Sequence, residues 1–186
     1  MIALTVRLAV AIFISARWGG TLFQDDVAYL KMATSWSSAG IGGLDAESRH
    51  FFQSHLSFLG PIGLMFRMFG AEPILAQAIS AITGALTATL VSTIAGRHTR
   101  PAITLCAGLL VALFPSQVFW SSLVLRDAAV WMALSSLAVV FSWWTRRTDF
   151  RNFVIGMAAV AGLQLYLLHL RVHTLLIASL AIVIAS

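Results

Sequence analysis

The sequence predicts an all-α integral membrane protein with about six transmembrane helices and further juxtamembrane helices in a long first outer loop. Of its 186 residues, 59% are hydrophobic and only 10% are charged, whereas soluble domains have about 25% charged residues. Residues 73–95 and 101–125 contain no charge at all. A helix crosses the hydrocarbon core with about 20 apolar residues, so both runs are long enough to span a bilayer.

The chain is predicted to form one transmembrane module, residues 1–186. Its spans lie at approximately 2–18, 73–96, 101–120, 127–145, 152–170 and 172–186. The first apolar run also has the length of a signal peptide, but its start is weakly basic and no small-residue cleavage site precedes Arg17, which favours a retained span. The last span is still apolar at Ser186, so we expect a C-terminal truncation.

The segment at approximately 54–69 decides the predicted topology. It is too short to span and contains Gly60 and Pro61, which indicates an interfacial or re-entrant helix. If it does not cross, the basic loops at 97–100 and 146–151 lie on one side of the membrane. Positive-inside bias makes that side the cytoplasm, and we expect a bacterial cytoplasmic (inner) membrane.

The outer loop, residues 19–72, is then on the opposite side. Besides the segment at 54–69, it carries a predicted interfacial helix at approximately 25–38. Four residues of that helix share one face at the spacing i, i+3, i+4 and i+7: Tyr29, Met32, Ala33 and Trp36.

Placing charged residues in or near a bilayer costs free energy, so their presence there indicates a structural or functional role. The predicted topology brings three groups of them to the outer face: Asp25 with Asp26, Arg126 with Asp127, and Arg171 with His173. That arrangement suits a site that takes a substrate from the outer leaflet.

Each group also has a structural interpretation. The two aspartates at 25 and 26 are typical of a helix cap. Asp127 can cap the following span, and Arg171 and His173 can be interfacial anchors. The sequence pattern leaves these alternatives open.

Several other residues are assigned structural roles. His50 and His55 are interpreted as loop residues rather than metal ligands, and Cys106 as a buried small hydrophobe. The tryptophans at 120, 143 and 144 fit an interfacial aromatic belt. Although the net charge is +5, most basic residues sit in short loops, which argues against nucleic-acid binding.

Residues 25–29 read Asp-Asp-Val-Ala-Tyr, and Ala33 follows four residues later. This stretch resembles the motif that follows the first span in the GT-C membrane glycosyltransferases, such as protein O-mannosyltransferases and aminoarabinose transferases. The segment 55–70 is similar to the family's juxtamembrane helix: it ends in Phe69-Gly70 but lacks the opening prolines. Residues 113–127 resemble the third span and its outer loop, and residues 170–174 resemble a Leu-Arg-x-x-Thr turn. The resemblance covers only the N-terminal half of a typical member.

The resemblance implies an inverting transfer of a sugar from a polyprenyl-phosphate-linked donor to a protein, lipid or glycan acceptor on the outer face. Asp25 is the expected general base. Asp26 would support catalysis, and Asp127 would orient the acceptor or help to hold a divalent cation; metal dependence is left open. The donor phosphate would be bound by three basic residues: Arg126, Arg171 and His173.

Two other functions compete with the transferase. A transporter segment or an assembly partner would use the same charges without catalysis, and a transporter site lies near the bilayer midplane, often at broken helices. An inactive fragment of a glycosyltransferase is the third possibility.

Overall fold

The computed structural model describes residues 1–144 and 149–185. In this part of the chain 85% of residues are helical and none is in a strand, which confirms the all-α prediction. The helices are α1 (Ile2–Trp18), α2 (Gln24–Ala39), α3 (Ala46–Ser54), α4 (Leu56–Phe69), α5 (Pro73–Gly96), α6 (Pro101–Leu113), α7 (Pro115–Ser121), α8 (Asp127–Trp144), α9 (Phe150–Leu168) and α10 (Val172–Ala185), with a 3-10 turn at Ile41–Gly43.

Three of these helices, α5, α8 and α9, are long and apolar enough to cross a membrane, and α6 with α7 gives a fourth if the pair is one span. The chain is therefore a membrane protein with three to four candidate spans. Helices α1 and α10 have 17 and 14 residues, at or below the length that usually crosses a bilayer. The predicted number of six spans stays a prediction.

The predicted span 101–120 is not one continuous helix. Helices α6 and α7 meet at an angle of 53°, and Pro115 is the first residue of α7. Proline has no N–H to donate to the carbonyl four residues earlier, here that of Val111, so the helix breaks at this point.

Arg7, inside α1, satisfies the carbonyl groups that the break leaves free. Its guanidinium nitrogens donate to the oxygens of Ala112 at 2.8 Å and Val111 at 3.0 Å, and its Nε donates to the Ser121 hydroxyl at 2.8 Å. The side chain is completely buried. Gly84 of α5 leaves the space, because a Cβ there would lie 2.8 Å from the Arg7 Nε. The charge is thus accommodated inside the protein, away from lipid.

The helices begin and end at two opposite ends of the bundle. At one end, the Gln77 amide donates to the Gly20 carbonyl at 3.1 Å, so the start of α5 lies beside the end of α1. The Phe23 ring stacks on Trp120 at 5.3 Å, which adds the end of α7. We name this the Asp25 end.

At the opposite end, Arg97 donates to the Val139 carbonyl of α8 at 2.8 Å, so the basic loop 97–100 lies there. The rings of Trp144 and Phe153 are 5.5 Å apart, which places the start of α9 at the same end. Arg146 and Arg147, in the second predicted basic loop, lie outside the described residues.

The segment between α1 and α5 folds into a helical layer. Trp36 of α2 stacks on Phe52 of α3 at 5.1 Å and packs against Gly63 of α4. The sequence predicted no separate α3, which begins where the Asp45 carboxylate accepts a hydrogen bond from the Ser48 N–H at 3.1 Å. The following helix, predicted from residue 54, begins at Leu56.

Cys106 is exposed, so its predicted burial is wrong. It lies with Leu109, Leu110 and Leu113 along an apolar groove on the outside of α6. In a membrane protein an apolar residue is as stable against lipid as in the core, so an uncharged run does not imply burial.

Candidate functional site

Two of the three predicted charged groups are joined directly. The Asp127 carboxylate accepts from the Arg171 guanidinium at 3.1 Å, and the Arg126 guanidinium donates to the Leu170 carbonyl at 2.9 Å. Residues at the start of α8 are thereby fixed to the turn between α9 and α10. The side chains of Arg171 and Asp127 are 44% and 26% exposed, so a ligand can reach this ion pair.

In the third group, Asp25 lies one helical turn before Tyr29 on the same face of α2. The phenol is only 4% exposed, and burial raises its pKa. The pKa is also lowered by the charges of Arg126 and Arg171 and raised by those of Asp25 and Asp127. All four charged groups are therefore within electrostatic range of the Tyr29 phenol.

His55 belongs to the same group of residues. Its ring stacks on Phe51 at 4.5 Å and lies 5.6 Å from the Tyr29 ring. Burial has the largest effect on the pKa of His55 and lowers it. The positive charge of Arg126 lowers it further, whereas the hydrogen bond to the Phe51 carbonyl and the negative charge of Asp25 raise it. With Nδ1 2.9 Å from that carbonyl, the neutral ring donates from Nδ1 and keeps the Nε2 lone pair.

We name these six residues the charged cluster: Asp25, Tyr29, His55, Arg126, Asp127 and Arg171. Sequence reasoning assigned His55 to a loop and Tyr29 to a hydrophobic helix face. The spacing of Tyr29 from Asp25 was the available signal, since residues four apart share a helix face. No comparable signal marked the relation of His55 to the charged groups, because Tyr29 lies in a different helix and Arg126 in a distant part of the sequence.

Asp26 has a different environment from Asp25. Asp25 is exposed, whereas Asp26 is completely buried. One oxygen of Asp26 accepts from the backbone N–H groups of Leu22 at 3.1 Å and Phe23 at 3.4 Å. Burial raises its pKa, and these two hydrogen bonds oppose the rise. The geometry is that of an acidic residue at the third helix position bonding back to the N-cap, so Asp26 closes the start of α2.

The remaining predicted site features are less well supported. His173 is exposed at the start of α10, and among the described residues no hydrogen bond or ion pair joins it to the charged cluster. The described residues contain no group of three or more His, Cys, Asp or Glu side chains placed to hold a metal ion. A phosphate role for His173 and a divalent cation both stay predictions.

The charged cluster combines groups that transfer chemistry needs: an exposed carboxylate, two guanidinium groups and a neutral imidazole. Comparison of the chain with protein-family models, with curated proteins and with solved structures gives no match.

Proposed function

We propose that the chain is a GT-C-type glycosyltransferase. It moves a sugar from a polyprenyl-phosphate-linked donor to an acceptor on the outer face of the membrane and inverts the anomeric carbon. The proposal rests on the partly exposed Arg171–Asp127 ion pair, which lies with Arg126 and the exposed Asp25 within electrostatic range of Tyr29 at one end of the bundle. Such a transfer needs a base for the acceptor and cations for the departing phosphate.

Asp25 is the general base in this mechanism. Its carboxylate is exposed on the first turn of α2, where an incoming hydroxyl can reach it. As the acceptor oxygen bonds to C1 of the sugar, Asp25 takes the hydroxyl proton and the bond from C1 to the phosphate oxygen breaks. A single displacement of this kind inverts C1. Asp26 supports the step by fixing the helix start that carries Asp25.

Arg171 stabilises the negative charge that develops on the departing lipid phosphate. A guanidinium binds phosphate oxygens through two parallel hydrogen bonds, and the Arg171 side chain is exposed enough to do so. Asp127 holds Arg171 in place before the donor arrives. Arg126 adds a second positive charge beside the same turn, and preorganised charges of this kind stabilise a transition state without reorganisation.

The break between α6 and α7 favours a second candidate, a transporter segment, because transporters bind substrates at broken helices. In this chain Arg7 itself occupies the break, and its nitrogens donate to three backbone carbonyls and one hydroxyl. Those donors are already used within the protein, whereas the Arg171–Asp127 pair is partly exposed. The transferase is therefore the better supported of the two.

A transfer assay tests the proposal. The chain is reconstituted in lipid nanodiscs with radiolabelled polyprenyl-phosphate sugars and offered peptide, lipid and glycan acceptors. We expect transfer with inversion in the wild type, and near-complete loss in Asp25→Asn. Glu72→Gln, which neutralises an exposed acid at the same end of the bundle, is the control and retains full transfer. If the wild-type chain transfers no sugar to any acceptor, the proposed enzymatic function is contradicted. A transporter segment, an assembly partner or an inactive fragment would then remain as the alternatives.

A further inference from the structure

A cleft of about 230 Å³ lies between α2 and α3. It contains both signs of charge, two hydroxyl groups and one aromatic ring. Its main lining residues are Lys31, Met32, Ser35, Glu47, Ser48 and Phe51. None of them belongs to the charged cluster, so the cleft is a separate feature with its own chemistry.

The polar groups of the cleft match a neutral ligand that both donates and accepts hydrogen bonds. The Lys31 ammonium only donates, the Glu47 carboxylate only accepts, and the Ser35 hydroxyl does both. The Ser48 hydroxyl already bonds to the Asp45 carboxylate and can still accept. The charges of Lys31 and Glu47 cancel, and no ion pair between them is found in the described part of the chain. A polyhydroxylated ring between them would satisfy both side chains, whereas an anion or a cation would be repelled by one of them.

The size of the cleft limits the ligand to a small one. Pockets for drug-sized ligands measure about 300–1,000 Å³, and this cleft is smaller. Phe51 and Met32 supply apolar surface on which the C–H face of a sugar ring can pack, since aromatic rings offer large apolar faces. A single sugar ring therefore fits the volume and the chemistry together.

The cleft adjoins the charged cluster through two elements. Ala28, which also lines the cleft, follows Asp25 by three residues, about 4.5 Å along the helix axis. Phe51 stacks on His55 at 4.5 Å and lies 5.9 Å from Tyr29. The cleft therefore begins within about one helical turn of Asp25, whose carboxylate is exposed.

We infer that this cleft is the acceptor subsite and that it binds one neutral sugar ring. The inference rests on the proposed glycosyltransferase function and narrows its acceptor to a glycan or glycolipid. The hydroxyl that attacks C1 of the donor then belongs to a sugar and not to a serine or threonine side chain.

Saturation-transfer difference NMR on the full chain in detergent micelles tests the inference without a donor. The probes are methyl glycosides of neutral hexoses and pentoses, with a threonine-containing peptide as the comparison ligand. We expect saturation transfer to at least one glycoside. Its affinity falls by about tenfold or more in Glu47→Gln and in Lys31→Gln, because each loses a charge-assisted hydrogen bond. Glu72→Gln is the matched acid control outside the cleft and keeps wild-type affinity.

Three results would overturn the inference. Loss of glycoside binding in Asp25→Asn with retention in Glu47→Gln would place the ring at the charged cluster. Binding of the peptide but of no glycoside would identify a protein acceptor. Absence of binding by any probe would remove the cleft as a subsite. None of these results bears on sugar transfer from the lipid donor, which the nanodisc assay measures separately.

Discussion

At the scale of single residues, Asp25 and Asp26 are adjacent in sequence but differ completely in environment. Asp26 lies three positions after Phe23, the N-cap of α2, and bonds back to its N–H. Asp25 is exposed. The sequence pattern left both residues open as caps or as catalytic acids, because the distinction depends on where the chain enters the helix.

This difference predicts opposite effects of two substitutions. Asp26→Ala removes the acceptor of two backbone N–H groups and should lower the free energy of unfolding by about 1–3 kcal/mol, whereas Asp25→Asn should leave it unchanged. Asp26→Asn retains an acceptor oxygen and should be intermediate. Thermal unfolding followed by circular dichroism in detergent measures all three. Equal losses in Asp25→Asn and Asp26→Ala would contradict the assigned roles.

His55 predicts a pH dependence. Burial lowers its pKa in the folded chain below the ordinary value of 6.5. At pH values between the folded pKa and 6.5, the unfolded chain therefore binds more protons than the folded chain. The free energy of unfolding consequently falls as the pH is lowered through this window, and above the window the neutral ring causes no loss of stability. Melting temperatures from pH 5 to 8 should show this loss in the wild type.

The variant His55→Gln isolates the contribution of His55 from other titrating groups. Its melting temperature should fall less on acidification than that of the wild type. His50→Gln, on an exposed part of α3, should behave like the wild type. An unchanged pH profile in His55→Gln would show that protonation of this ring does not govern the loss.

At the scale of elements, the sequence predicted the uncharged helices well but not their breaks and contacts. The predicted spans 73–96 and 127–145 correspond to the single helices α5 (Pro73–Gly96) and α8 (Asp127–Trp144), with residue 145 outside the described part of the chain. The run at 101–120 breaks at Pro115, and its free carbonyls are satisfied by Arg7. That partnership joins residues more than 100 positions apart, which local patterns do not encode.

Arg7 should therefore stabilise the broken helix. Arg7→Met leaves the carbonyls of Val111 and Ala112 without their donor, and we expect a loss of at least about 2 kcal/mol, because unsatisfied buried groups cost about 1–3 kcal/mol each. Arg7→Lys should rescue only part, since lysine lacks the forked donors. Arg17→Met, on the exposed end of α1, is the control. Unfolding in sodium dodecyl sulfate gives the comparison, and equal stability of Arg7→Met and Arg17→Met would contradict this role.

Gly84 offers a second test of the same packing. A Cβ at Gly84 would lie 2.5 Å from the Ser121 Cβ and 2.8 Å from the Arg7 Nε, so Gly84→Ala should destabilise the protein by about 1–3 kcal/mol. At Gly162 of α9 nothing lies within 4 Å of the corresponding position. Gly162→Ala should be neutral or slightly stabilising, because alanine favours helix. The same unfolding titration compares them, and no difference would argue against tight packing at Gly84.

At the scale of the whole molecule, the bundle has two chemically different ends. The charged cluster with mixed charge lies at the Asp25 end, whereas the exposed basic residues His98 and Arg100 lie at the other. Sequence topology predicted that Asp25, Asp127 and Arg171 share one membrane face, because alternating spans return to the same side. It did not predict that Tyr29 and His55 lie within electrostatic range of charged residues in this group, since that depends on how α2 and α3 fold.

The most direct test of the central claim is the position of a bound polyprenyl phosphate in a cryo-electron microscopy structure of the chain, made tractable with a rigid antibody fragment. We predict the phosphate within hydrogen-bond distance of the Arg171 guanidinium, on the side of the charged cluster that faces Asp25. A phosphate bound instead beside His98 and Arg100, at the opposite end of the bundle, would contradict the assignment of the charged cluster as the donor site.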